Sequence, residues 1–210
     1  MVDKISSWKF SEDFHNEPEV IQRARARAEE LGIESVTPSV GSHLALLVSA
    51  TNAKAIVEVG TGAGVSGLWL LSGNDQAVLA SIESEGEYQN QAKVAFNQAG
   101  IPAGRLRLIN GKSLEVLTNL ADEAYDLVFL DGDRETLLEQ LDQCLRLLRP
   151  GGVVAIAHAL WRDRVPDQVL RDENTVTYRT LLEKISNIDQ FIPVLSPAGD
   201  GLLLASKRAR

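Results

Sequence analysis

The sequence predicts an α/β fold: a doubly wound, mostly parallel sheet with an antiparallel hairpin at its C-terminal end. Three observations predict it. Short apolar runs at 55–59, 77–83, 105–109, 125–130 and 153–157 are each preceded or followed by a segment with apolar residues at helical spacing. The first run passes directly into a glycine-rich loop, Gly60-Thr61-Gly62-Ala63-Gly64, and then into a helix. Two further runs, 191–195 and 202–206, flank Pro197-Ala198-Gly199-Asp200-Gly201, a turn signal between strands. Strand–helix alternation of this kind builds parallel sheets with right-handed crossovers.

The elements follow in chain order. Residues 1–16 are mixed and polar, with Trp8, Phe10 and Phe14 as docking anchors, and are expected to be loose. Glu17-Pro18-Glu19 opens a helix that runs to about Leu31 and stops at Gly32. Its Arg23, Arg25 and Arg27 read as a solvated face. Thr37-Pro38 starts a second helix through about Ala50, with His43 as a structural histidine. Beyond it, helices are expected at 64–71, 86–99, 113–120, 135–148 and 173–187, and Arg149-Pro150-Gly151-Gly152 as a turn. The run at 153–157 is continuously apolar, as a central strand buried on both faces would be. Neither repeats nor linkers divide the chain, so residues 1–210 are expected to form one domain, a helical extension over 1–50 and a core over 51–210.

Composition narrows the function. The 210 residues carry a formal net charge of −8, which disfavours nucleic acid as the main partner. The single cysteine, Cys144, excludes an internal disulfide framework or a cysteine-based zinc site and reads as a small core residue. The first residues show no secretory h-region, and no run approaches the ~18 apolar residues of a membrane span. A cytoplasmic location and no membrane partner are expected.

Gly62-Ala63-Gly64-Val65-Ser66-Gly67 satisfies G-x-G-x-x-G, and a helix N-terminus behind bare glycine amides suits a nucleotide-like ligand. Val57 to Gly64 resembles motif I of class I S-adenosylmethionine-dependent methyltransferases, and Leu148-Arg149-Pro150-Gly151-Gly152 resembles their late proline-glycine-glycine motif. Glu58…Ser66-Gly67, Ile82-Glu83, Asn110-Gly111-Lys112-Ser113, Phe129-Leu130-Asp131-Gly132-Asp133 and Gly199-Asp200-Gly201 resemble, more narrowly, the catechol and caffeoyl-CoA O-methyltransferase family, in its bacterial branch. The resemblance runs from about Val36 to the C-terminus and implies a Rossmann-like, seven-stranded sheet. It implies an O-methyltransferase using S-adenosyl-L-methionine on a small hydroxyl acceptor, aromatic ones included, and a homodimer built on the N-terminal helices.

The residues match that ligand. Glu58 would hold its ammonium, directly or through water; Gly60, Thr61 and Gly62 leave room for the methionine part, and Val36 joins them. Ser66 would bond the carboxylate. Glu83, 25 residues after Glu58, would take the ribose hydroxyls, donors to two carboxylate oxygens. Ser113 matches the adenine-contacting position, or serves as a helix N-cap. Asp131 ends the fourth strand in the cleft.

The resembling family also uses a divalent metal on an aspartate after the fourth strand and an Asp-Asn pair after the fifth, with a lysine base. Here Asp131 matches the aspartate, the pair falls on Ala157 and His158, and the lysine on Arg134, which is no base at neutral pH. One carboxylate and one imidazole make a poor magnesium site, and no metal ligands are assigned. His158 is expected either as a general base oriented by Asp131 or as a packing and hydrogen-bonding residue. Either Trp161 stacks on an aromatic acceptor, with Arg162 and Arg164 holding an anionic group, or the three belong to an exposed loop that carries an aromatic by chance. Two rivals remain: a member that binds the nucleoside without transferring methyl groups, and an NAD(P)-dependent oxidoreductase.

Overall fold

The computed structural model describes residues 4–209. One seven-stranded sheet carries the strand order β3-β2-β1-β4-β5-β7-β6. Its strands are β1 (Ala55–Val59), β2 (Val78–Glu83), β3 (Leu106–Asn110), β4 (Tyr125–Leu130), β5 (Leu148–Ile156), β6 (Phe191–Ser196) and β7 (Leu202–Lys207). The first five pair in parallel, and β7 pairs antiparallel with both β5 and β6.

Alternation explains the two layers. Along β1 and β4, Ile56, Leu127 and Phe129 face one side, where they pack with Leu44 and Val48 of α3 (Pro38–Ala50), Leu68 and Leu70 of α4 (Val65–Ser72) and Phe96 of α5 (Gly86–Gln98). Val57, Val59, Val128 and Leu130 face the other side, against Leu117 of α6 (Ser113–Leu117), Leu141 and Cys144 of α7 (Leu137–Leu147) and Leu181 and Ile185 of α8 (Glu173–Ser186). A sheet covered on both faces needs near-continuous apolar strands, as β4 and β5 have.

Three segments differ from the sequence expectation. Residues expected to be loose include a helix, α1 (Lys4–Asp13), tethered by the Trp8 indole N–H to the Pro197 carbonyl at 3.1 Å and by Glu12, which accepts the Gly199 N–H at 2.8 Å. Phe10 and Phe14 do not dock but stand exposed. Leu148 to Gly152 is the irregular start of β5 rather than a turn: the β4–β5 register shifts between Tyr125 and Leu127, and Gly151 takes a positive φ there. Arg25, read as solvated, is half-buried and paired with Glu17 through two hydrogen bonds of 2.6 and 2.9 Å; Glu17 follows α1 and precedes α2 (Glu19–Glu30).

The strand order reverses between β1 and β4, which opens a crevice at their carboxyl ends. Backbone bonds continue the ladder past the strands and align those ends: Gly60 N–H to Ile82 O, Asp131 N–H to Val59 O, Ala157 N–H to Leu130 O and Gly111 N–H to Glu83 O. Gly60 (φ 92°) is required here, because a Cβ would lie 2.3 Å from the Asp131 carbonyl oxygen.

Candidate functional site

The crevice holds a cleft of about 330 Å³, within the size range of small-molecule sites. Of the residues expected from sequence it is lined by Val36, Gly60, Thr61, Gly62, Ser66, Glu83 and Asp131. An adjoining cavity shares Gly60, Glu83 and Asp133 with it and reaches Ser113 at the start of α6. Ser113 is not the helix cap; its hydroxyl accepts a 3.1 Å bond from Gln140 of α7, which also reaches Thr136 and the Asp133 carbonyl.

Glu83 fastens the glycine loop. One carboxylate oxygen accepts the Gly62 N–H at 2.9 Å and the other the Glu85 N–H at 3.0 Å. Each oxygen keeps a second lone pair for a hydroxyl donor. Glu34, Glu83, Glu85, Asp131 and Asp133 line the main cleft, and no lysine, arginine or histidine does. Its field therefore favours a cation and opposes a polyanion.

Two assignments are corrected. Glu58 does not reach the cleft. It is fully buried beneath it, accepting the Ser66 and Ser81 hydroxyls at 2.6 Å each, while Thr61 bonds Ser81 at 2.5 Å. Burial pushes the Glu58 carboxyl up to about 7 against the pull of both serines, and the negative Asp131 and Glu83 add to the rise. The register signalled this, since Ser81 is the β2 partner of Glu58. The Ser66 hydroxyl, committed to Glu58, has no hydrogen left for a ligand carboxylate, and the Gly60, Gly62 and Gly64 N–H groups are taken by Ile82, Glu83 and Thr61.

A second pocket, about 270 Å³, shares Glu34, Ser35 and Val36 with the cleft and is walled by Trp8, Thr37, Val40, Ala157, His158, Arg162 and Asp200. His158 lies between two carboxylates: its Nε2 is 3.1 Å from Asp131 Oδ1 and its Nδ1 is 2.7 Å from Asp200 Oδ1. These partners overcome the effect of burial and raise the ring to about 10, while Asp200 is lowered below the usual carboxylate range chiefly by its bond to His158. Of the two expectations for His158, this geometry favours the hydrogen-bonding residue over the general base. A ring donating from both nitrogens has no lone pair to take a proton. Asp200 carried a motif resemblance but no expected role; its partner is 42 positions away in sequence.

The same geometry tests a divalent metal. Ala157 offers a methyl group, both His158 nitrogens are engaged, and Asp131 Oδ1 is already bonded. Magnesium prefers several hard oxygen ligands, which this donor set does not provide, so the residues do not fit it. Arg134, at the lysine position, lies 4.5 Å over the Trp161 ring.

The expected acceptor contacts in the β5 loop are also spent. Trp161 is buried and stacked on Tyr178 at 5.5 Å; Arg162 pairs with Glu34 and Arg164 with Asp172. His43 bonds the Ser39 carbonyl and Cys144 is buried, both as expected. Among the described residues no helix is long and apolar enough to cross a membrane.

Residues 11–208 match the profile of the O-methyltransferase family. A relative from Mycobacterium sp. (strain JLS), provisionally named an O-methyltransferase, is 47% identical over 193 residues, covering 91% of this chain and 88% of its own. A crystal structure of a Corynebacterium glutamicum protein superposes with a TM-score of 0.91 at 30% identity, over 99% of each chain. The O-methyltransferase TomG from Streptomyces achromogenes, solved in complex with S-adenosylmethionine, shares the fold at 24% identity, with a TM-score of 0.85 over 99% of this chain and 100% of that one. With a cleft at the sheet's switch point and a match along almost its full length, the chain belongs to the O-methyltransferase family.

Proposed function

We propose that the chain transfers a methyl group from S-adenosyl-L-methionine to the hydroxyl oxygen of a small aromatic acceptor, without a magnesium site. The observation that carries the cofactor is the charge of the cleft: five carboxylates and no basic side chain. When bound, the cofactor supplies an electrophilic methyl group on a sulfonium cation, which those carboxylates attract. The dianionic pyrophosphate of NAD(P) would be repelled, so the oxidoreductase reading falls.

Each residue then has a task. Glu83 receives the ribose hydroxyls while holding Gly62; Ser113, steadied by Gln140, borders the adenine; Asp131 lines the cleft and contacts His158, which lines the second pocket. That second pocket takes the acceptor. Val36, Val40 and Ala157 supply apolar wall, and Trp8 closes it from α1. Orientation beside the cofactor and exclusion of water are the main contributions such a site makes to an in-line displacement.

A homodimer accompanies this reading. Ile5, Phe10 and Phe14 at α1 and Ile192 and Val194 on the edge strand β6 are exposed, and Trp8 links these two regions through Pro197. A cytoplasmic location goes with a cofactor made in the cell interior. Thermal-shift titration separates the ligands: S-adenosylhomocysteine raises the melting temperature and NAD does not. Methyl transfer to a panel of phenols then distinguishes an enzyme from a member that only binds the nucleoside.

A further inference from the structure

We infer that His158, held as a cation between Asp131 and Asp200, is a positioning residue that replaces a divalent ion as the cross-link of the acceptor loop. This rests on the second pocket being the acceptor site, and it concerns three elements: the end of β4, the loop after β5 and the β6–β7 turn.

The protonation follows from hydrogen-bond accounting. An ionised carboxylate only accepts, so a ring facing one on each nitrogen carries a hydrogen on each. All three side chains are largely shielded, at 11% exposure for His158 and Asp131 and 27% for Asp200. The other charged groups around the ring are Arg134 and Arg162, 4.5 and 5.4 Å over the Trp161 ring that meets His158 at 6.3 Å between centroids, and Asp163 in the same pocket; Arg162 is paired with Glu34.

The loop needs such a cross-link. His158, Trp161, Arg162 and Asp163 all have positive φ, between 44° and 59°, a conformation that side-chain-bearing residues rarely adopt. Strain of this kind persists only where the surroundings enforce it. Here the β6–β7 turn does so: Asp200 holds the ring through Oδ1 and the Arg162 N–H through Oδ2, and the Asp200 and Gly201 carbonyls accept the Leu160 and Ala159 N–H groups. Gly201 (φ 102°) permits the approach, since a Cβ there would sit 2.4 Å from the Leu160 nitrogen. Asp131 completes the link to β4. A metal would have to take Asp131 from the imidazolium and then face its positive charge.

The test uses wild-type protein saturated with S-adenosylhomocysteine. Nitrogen-15 spectra of the histidine rings, assigned by comparison with His158→Gln, are expected to show His158 with both nitrogens protonated at about pH 8, where an ordinary histidine is neutral. Millimolar Mn²⁺, followed by electron paramagnetic resonance, is expected to remain free. In Asp200→Asn the ring is expected to become neutral at that pH and amide exchange across residues 158–163 to accelerate at least tenfold. A neutral ring in the wild type, Mn²⁺ bound by the wild type and released in Asp131→Asn, or an Asp200→Asn protein with unchanged ring and exchange would each overturn the inference. Failure of S-adenosylhomocysteine to bind would instead count against the cofactor reading, because the ring measurement can be made without it.

Discussion

Replacing Glu58 with glutamine should make the protein more stable at alkaline pH and a poorer cofactor binder. Glu58 is completely buried, and its carboxyl is pushed from 4.5 to about 7. Because its folded pKa lies above its unfolded one, its contribution is fully present below about 4.5 and is lost as pH rises through 7. At roughly 1.4 kcal/mol per pH unit, that displacement is worth about 3 kcal/mol. Glutamine keeps the shape, accepts from one serine and donates to the other, and carries no charge to bury. Glu58→Gln should therefore exceed the wild type by about 3 kcal/mol near pH 8, and by about 1 kcal/mol near pH 5, where the native side chain is mostly neutral. Urea unfolding of both proteins at the two pH values measures the gap. The same substitution removes negative potential beneath the cleft, so calorimetry should show weaker binding of the cationic cofactor. A gap independent of pH, or a variant less stable at pH 8, would refute the reasoning.

Three further outcomes are expected. Gly60→Ala should cost about 2 kcal/mol or more and abolish the S-adenosylhomocysteine thermal shift, because its Cβ meets the Asp131 backbone, whereas Gly104→Ala, with open space around it, should stay near neutral. Glu83→Gln weakens two charge-assisted bonds to the loop, each worth about 1.5–3 kcal/mol, and should lower S-adenosylhomocysteine affinity about tenfold by isothermal calorimetry. The pairing that raises His158 to about 10 stabilises the fold fully below about 6.5 and is lost as pH rises through 10, so the stability advantage of wild type over His158→Gln should shrink across that interval in denaturant titrations.

Local patterns carried most of the fold. The β4 boundaries, 125–130, agree with the apolar run, and the helix at Thr37-Pro38 begins with the Thr37 side chain accepting the Val40 N–H. The cleft was legible for the same reason. A glycine loop, an acid ending β2 and an acid after β4 lie at strand ends that a parallel sheet must bring to one edge. The α1 helix was not legible, because Lys4–Asp13 has no apolar stripe at helical spacing and buries no residue; Trp8 and Glu12 tie it instead to a turn almost 190 positions away. The entry to β5 was misread because Pro150-Gly151-Gly152 also suits a turn, and only pairing with β4 decides between the two.

The sequence by itself determined the sheet, the position of its switch point and the kind of ligand that a glycine loop with neighbouring acids can hold. Those are properties of residues close in sequence or repeated with the strands. Only the tertiary structure decided which acids line the cleft and which do not. It placed Glu58 under the loop among serines, and set His158 between Asp131 and Asp200, 27 and 42 positions away. A histidine's protonation is set by the partners of both ring nitrogens, and here they come from the end of another strand and from a distant turn.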